Sequence, residues 1–322
     1  MKKTFFLYPL ALIGLIVIFA NTGTKDGDTL TTLTFQDLAK MNQARGGFAY
    51  SSDSNNIYVS NGFSRNSPLT TEIEKYSVAT DTWTVFAQSL VAKRYSTSAI
   101  VGNYLYIFGG GSVNGSAGNE KMEVVNLSNG NVTFTTNNPA PADICGAATW
   151  DESIYVFGGS SSYYWEFAIW SNYSNKLYRF NTSDSTWTEL ANMPESKETK
   201  GAIVNGKLYV LGGYNGTPSN RIDMYDIETN VWKSLGTMPK GVSANAIAVY
   251  GTTIFIVGDY TNEKYLASYE VNNGVFNVIQ SNMKKRRHAG AAVINGKLYI
   301  MGGNQSSYIN SSLSSLQMTS LK

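Results

Sequence analysis

Short apolar runs, each with an aromatic residue in second place and a pair of small residues directly behind it, recur six times along the chain. They are Ile57-Tyr58-Val59-Ser60 before Asn61-Gly62, Leu105-Tyr106-Ile107-Phe108 before Gly109-Gly110, and Ile154-Tyr155-Val156-Phe157 before Gly158-Gly159. The series continues with Leu208-Tyr209-Val210-Leu211 before Gly212-Gly213, Ile254-Phe255-Ile256-Val257 before Gly258-Asp259, and Leu298-Tyr299-Ile300-Met301 before Gly302-Gly303. Successive pairs stand about 44 to 54 residues apart. Apolar runs this short, bounded by turn formers, predict strands, and their fixed period predicts a repeat architecture.

Two further columns keep the same register. Tyr76 and Trp83, Phe180 and Trp187, Tyr225 and Trp232, and Tyr269 and Phe276 are each seven positions apart, with turn-forming residues between them. Val125 and Val132 hold these places in the second unit, where Phe134 is an alternative source of bulk. Each such pair predicts two consecutive strands of a hairpin. Asn205-Gly206 and Asn295-Gly296 lie between apolar runs and predict type I′ turns, because both residues tolerate positive φ. Each unit therefore reads as four antiparallel strands. The sixth lacks room for its last strand, since only about one strand, around Ser312 to Met318, follows Gly303. Leu30 to Met41 is expected to supply it, with Phe35 in the tryptophan place and Met41 preceding the first unit as Met193 and Met238 precede later ones. The alternative is a linker and an open ring.

These columns resemble the kelch family in order and spacing, and the resemblance covers nearly the whole chain after its first segment. It implies an all-β, six-bladed β-propeller with four antiparallel strands per blade, in which neighbouring blades bury one another's faces. The blades fall at about 42–90, 91–139, 140–194, 195–239, 240–284 and 285–322 plus 30–41, giving a propeller over 30–322. Asn61 and Asp259 break the glycine doublet and predict looser packing in blades 1 and 5.

Composition agrees with an all-β chain: 30 glycines, 21 tyrosines and only 15% charged residues. The net charge of +2 is scattered apart from Lys284 to Arg287, so no basic stripe marks a nucleic-acid surface. A positive start at Lys2 and Lys3 and an apolar run from Phe5 to Ala20 read as a signal peptide over 1–20, with an uncleaved anchor as the alternative and a linker over 21–29. The expected location is extracytoplasmic: periplasmic, cell-surface or secreted.

Cys145 is the single cysteine, which excludes an intrachain disulfide and predicts an inert buried thiol. His288 is the single histidine. A multi-histidine metal centre, including the copper site of the galactose oxidase branch of kelch propellers, is thereby excluded, and no cofactor or metal is expected.

Counting fifteen residues back from each doublet, or sixteen in the first unit, gives Arg45, Arg94, Asp143, Lys197, Ser243 and Arg287, a ring at the channel mouth. Its arginines suit an anionic ligand or acidic peptide, or else brace adjacent blades. The insertion Ser160 to Lys176 carries Tyr163, Tyr164, Trp165, Phe167, Trp170 and Tyr173, which predicts a contact loop or a private cluster of aromatics. The binding residues expected are thus Arg45, Arg94, Arg287, His288, Tyr164, Trp165 and Trp170, for a protein or carbohydrate ligand. Nothing identifies a catalytic residue. Size, export and blade count are also similar to periplasmic kelch proteins that interconvert sialic acid anomers. That resemblance implies a sugar mutarotase, with Arg45, Arg94 or Arg287 on the carboxylate and a nearby Glu, Asp or His288 in proton transfer; Glu120, Glu166, Asp143 and Glu198 are the acids in reach of the mouth by their place in the units.

Overall fold

A computed structural model of the chain describes residues 32–64, 69–111, 120–139, 142–165, 168–306 and 311–321, with backbone alone for 162–165 and 168–170. The segments expected as signal peptide (1–20) and linker (21–29) lie outside the described residues. Among the described residues no helix is long and apolar enough to cross a membrane.

Six four-stranded antiparallel sheets follow one another as blades of a propeller. Blade 1 comprises Ala49–Ser52, Asn56–Ser60, Thr70–Ser77 and Thr82–Lys93, the last strand running beyond the boundary expected at 90. Blade 2 comprises Thr97–Val101, Tyr104–Phe108, Lys121–Asn126 and Val132–Asn137. Gly146–Trp150, Ser153–Phe157, Leu177–Asn181 and Thr186–Glu189 form blade 3, and Gly201–Val204, Lys207–Leu211, Arg221–Asp226 and Val231–Thr237 form blade 4. Blade 5 holds Ala246–Tyr250, Thr253–Val257, Leu266–Glu270 and Val275–Val278. In blade 6 Gly290–Ile294, Lys297–Met301 and Leu316–Ser320 are completed by Gln36–Leu38 from the far end of the chain. Continuing the register Gln36↔Met318 by one residue sets Phe35 opposite Thr319, the place that Trp83 takes opposite Tyr76. The ring is therefore closed by joining the two ends of the chain in one sheet, and Gln36–Leu38 covers the strand Leu316–Ser320 that a three-stranded blade would leave as its edge.

The aromatic pairs face each other as their spacing requires: Tyr76↔Trp83, Val125↔Val132, Phe180↔Trp187, Tyr225↔Trp232 and Tyr269↔Phe276. Both Asn-Gly turns have positive φ at their two residues, 51° and 70° at Asn205 and Gly206 and 51° and 69° at Asn295 and Gly296. Trp83 Nε1 donates to Ala39 O at 3.0 Å and Trp232 Nε1 to Ala191 O at 2.7 Å, so each indole clasps the chain leaving the preceding blade.

The glycine doublet exists because the chain entering the next blade passes directly over it. A Cβ on Gly109 would stand 2.2 Å from Ala142 O, and Gly110 N donates to that same carbonyl at 3.1 Å. Asn61 and Asp259, contrary to the expected looser packing, are fully buried and hydrogen-bonded. Asn61 Nδ2 donates to Thr70 O and Val91 O, and the Asp259 carboxylate accepts from Lys240, Ser243 N, Thr261 and Asn262 N. A polar side chain takes over the backbone contacts that a glycine would leave to its neighbours.

Candidate functional site

The innermost strands of all six blades line a central channel, and the chain enters each of them along one rim. Isolated bridges fix that rim: Gly46↔Phe63, Arg94↔Gly111, Asp143↔Ser160, Glu198↔Tyr214 and Arg287↔Asn304. In blade 5 Ser243 takes the place, its carbonyl accepting from Tyr260 N at 2.9 Å. The rim is thus Gly46, Arg94, Asp143, Glu198, Ser243 and Arg287. The expected ring is corrected by one residue in blades 1 and 4, where it held Arg45 and Lys197. Blade 1 has no added residue: Asp53 N bonds Asn56 O at 3.1 Å, so the hairpin turns over Ser54 and Asn55 as blade 2 turns over Gly102 and Asn103. In blade 4 the register slips by one between Gly201↔Val210 and Glu198↔Tyr214.

Arg45 and Lys197 belong to the position just before the rim, with Lys93 and Arg286, and all four are buried. Their side chains turn away from the mouth into the blade that each one precedes. Arg45 bonds Glu74, Lys93 meets Glu123 at 2.8 Å, Lys197 lies 3.8 Å from Asp223, and Arg286 Nη2 donates to Gln317 at 3.0 Å. Glu74, Glu123, Asp223 and Gln317 occupy one register position, opposite Val59, Ile107, Val210 and Ile300. Blades 3 and 5 lack both partners, with Ala142 and Val242 in the cation place and Tyr178 and Ala267 in the acid place. A buried charge is costly without its partner, so cation and acid occur together in blades 1, 2 and 4, while in blade 6 Arg286 is held by neutral acceptors, Gly302 O, Ser315 and Gln317. The signal legible in the sequence was the acid or amide two residues before the aromatic or β-branched column.

Directly after the rim the backbone turns left-handed, with φ of 59° at Gly47, 58° at Tyr95, 53° at Ile144, 54° at Ala244 and 49° at His288. Such φ is unfavourable for Ile144, a β-branched residue, and is held here by hydrogen bonds between blades. Gly47 N donates to His288 O, Tyr95 N to Gly47 O, Ile144 N to Tyr95 O, Thr199 N to Ile144 O, and His288 N to Ala244 O. The mouth is consequently a strained but braced collar that aims side chains at the axis.

A hollow of about 320 Å³ opens within the collar, walled by Tyr95, Tyr214, Tyr260, Glu198, Lys200 and His288 among others. Arg287 stacks 4.0 Å over Tyr260 and Arg94 stands 5.5 Å over the Tyr95 ring. Neither guanidinium has a carboxylate within 4.0 Å among the described residues. Burial pushes Asp143 up to about 7, against the pull of Arg94 and with the help of Glu198, and burial raises Glu198 as well. His288 lies 5.2 Å from the Tyr95 ring, and burial, then Arg287 and Lys200, lower it to about 3, so the imidazole is neutral at pH 7. Cys145 is fully buried and its thiol is raised to about 11 by burial.

The structure therefore brings Arg94, Arg287, His288, Asp143 and Glu198 to one mouth and removes Arg45 from it. Glu120 is exposed and bonds Asn138 through its backbone, and Glu166 lies outside the described residues. The insertion in blade 3 is a hairpin, not a loop, with Ser160–Trp165 paired to Ala168–Tyr173 and rooted at the rim through Ser160. Tyr164, Trp165 and Trp170 are on its strands, and their side chains lie outside the described set. Tyr95, Lys200, Tyr214 and Tyr260 were missed. Tyr95 directly follows Arg94 and Lys200 lies two past the rim residue Glu198, while Tyr214 and Tyr260 directly follow the pairs Gly212-Gly213 and Gly258-Asp259, and nothing short of the strand register brings them to one collar.

The family described as KLHDC2/KLHL20/DRC7 Kelch-repeats domain matches residues 47–259, more than half of the chain, and the Kelch motif matches 285–318. The chain is similar to Kelch-like protein terF of Aspergillus terreus, at 31% identity over 180 residues, covering 49% of this chain and 38% of that protein. It is also similar to Kelch domain-containing protein 10 of Rattus norvegicus, at 25% identity over 300 residues, covering 81% of this chain and 71% of that protein. For the Homo sapiens protein of that name the identity is 25% over 300 residues, covering 81% and 66%. The chain thus spans part of the length of each of these relatives.

Proposed function

The chain belongs to the kelch-repeat family, and from that premise we propose that it is a protein-binding module whose channel mouth receives an acidic segment of its partner. One observation carries this reading. Arg94 and Arg287 flank a hollow of about 320 Å³ walled by tyrosines, with no carboxylate of the described chain within 4.0 Å of either guanidinium. Arg287 Nη1 donates to Tyr260 O at 3.3 Å, and the remaining N–H groups of the two guanidiniums suit two-pronged bonds to carboxylates. The blade 3 hairpin, with Tyr164, Trp165 and Trp170, would extend the contact beside the mouth.

The test is a peptide array of matched acidic, neutral and basic sequences probed with the purified propeller. Acidic peptides are expected to be selected, with about tenfold loss in an Arg94→Ala, Arg287→Ala variant. Equal selection by wild type and variant would remove the reading, and the same comparison with Trp165→Ala, Trp170→Ala reads the hairpin.

A second reading, an isomerase of an acidic sugar such as sialic acid, draws on Asp143. A carboxyl raised to about 7 next to an arginine is suited to proton exchange near neutrality. NMR of single sialic acid anomers decides it, since an unchanged rate of equilibration with stoichiometric protein excludes a mutarotase. The proposed extracytoplasmic location rests on residues 1–20, and mass spectrometry of the chain expressed with them reads whether cleavage follows Ala20.

A further inference from the structure

We propose that the channel, just inside its mouth, holds a small free carboxylate such as acetate between Lys200, Asn245 and Ser96. Each stands two residues after the rim of its blade, following Glu198, Ser243 and Arg94 respectively. They therefore occupy one tier of blades 4, 5 and 2, and all three line a single hollow of about 30 Å³. Lys200 also lines the larger hollow above and one of about 90 Å³ below, so the tier is open toward the mouth and has room beneath.

Three groups in this tier lack what their chemistry requires. Lys200 Nζ donates to Cys145 O at 2.9 Å and has no carboxylate within 4.0 Å among the described residues. The nearby Glu198 accepts instead from the Ser160 hydroxyl at 2.6 Å. Asn245 Nδ2 and Ser96 Oγ are buried donors without a partner, on side chains 5% and 2% exposed. Water could serve the amide and the hydroxyl, but burial disfavours the Lys200 ammonium, and Glu198 supports it only from beyond contact distance, so an anion touching Nζ would add what water cannot. An anion serves all three at once. A carboxylate has two acceptor oxygens, which suits donors that reach one hollow from different blades, and the hollow of about 30 Å³ that all three line favours the smallest carboxylates. The ring of Tyr50 lines the same hollows, and its hydroxyl is tied to Ile247, which gives the site a floor.

Saturation-transfer NMR on the purified chain with sodium acetate tests this, with methylammonium chloride as the control. Transfer to acetate alone is expected, with half-saturation on the order of 1 mM and about tenfold weaker binding in Lys200→Met. The Arg94→Ala, Arg287→Ala variant should bind acetate as wild type does, so this proposal and the peptide-binding reading fail separately. Unchanged acetate saturation in Lys200→Met, or no transfer in wild type, would overturn it. Should Lys200→Met not fold, Ser96→Ala, Asn245→Leu removes two of the three donors, and wild-type acetate binding there would likewise overturn it.

Discussion

The hydroxyl of Tyr50, on the innermost strand of blade 1, meets the backbone of Ile247, on the innermost strand of blade 5, across the propeller channel. Ile247 N donates to it at 3.1 Å, and the hydroxyl faces Ile247 O at 3.4 Å. The contact passes over blade 6 and joins blades that are not neighbours in the ring. Burial pushes the Tyr50 phenol up to about 12, so it keeps its proton and can serve as donor at any physiological pH.

Tyr50→Phe removes this crossbar and leaves the partly buried Ile247 amide without its partner. We expect a loss of about 1 to 3 kcal/mol in denaturant unfolding, with the slope unchanged. Amide exchange at Ile247 should quicken more than at Ile256 on the next strand. An unchanged midpoint would show that water replaces the hydroxyl at no cost.

The buried pair of Lys93 and Glu123 gives a second expectation. Lys93→Met strands a carboxylate that also accepts from Ser89 and Leu90 N, and should cost about 3 kcal/mol or more. Adding Glu123→Gln keeps an acceptor for those two donors while removing the orphan charge, so most of the loss should return. A double variant no more stable than the single one would contradict the pairing argument.

Acid stability carries opposed slopes from two groups at the mouth. His288 falls from 6.5 to about 3 on folding, so the unfolded chain binds more protons between those values and stability is lost as pH falls through that window. Asp143 rises from 3.8 to about 7, so the folded chain binds more protons there and stability is lost as pH rises through that window. The two offset each other from about 4 to 6.5. Unfolding measured at pH 4, 5, 6 and 7 should show Asp143→Asn destabilised toward acid and His288→Asn destabilised toward neutral pH. Both residues are half-buried, so each slope should fall below the roughly 1.4 kcal/mol per pH unit of a fully desolvated group.

Two glycines separate close approach from backbone freedom. Gly102, at φ of 55°, has no heavy atom within 4 Å of an added Cβ, whereas Gly109, at 54°, would place one 2.2 Å from Ala142 O. Gly102→Ala should cost about 1 kcal/mol for the left-handed turn, and Gly109→Ala several times that because blade 3 must move away. Thermal unfolding of the pair gives the comparison, and equal losses would remove the explanation offered for the doublet.

Much of this was legible in the residues. The Tyr76 and Trp83 spacing, the Asn205-Gly206 turn and the missing last strand depend on local chemistry, because a turn of fixed length sets which side chains face each other. The rim was legible only to within a residue. Arg45 and Arg94 look alike in sequence, each an arginine just ahead of an apolar strand. One position along the backbone turns Arg45 inward to Glu74 and leaves Arg94 over Tyr95 at the mouth.

The chain by itself determined six blades, their hairpins and the closing strand, since periodic burial and turn propensity act over a few residues at a time. Only the tertiary structure decided which cations are bonded inside the blade they precede and which remain at the channel. It alone brought Tyr50 to Ile247, and Lys200, Asn245 and Ser96 into one tier. Those meetings depend on the curvature and register of sheets far apart in sequence, and no local preference encodes the angle at which one blade faces another.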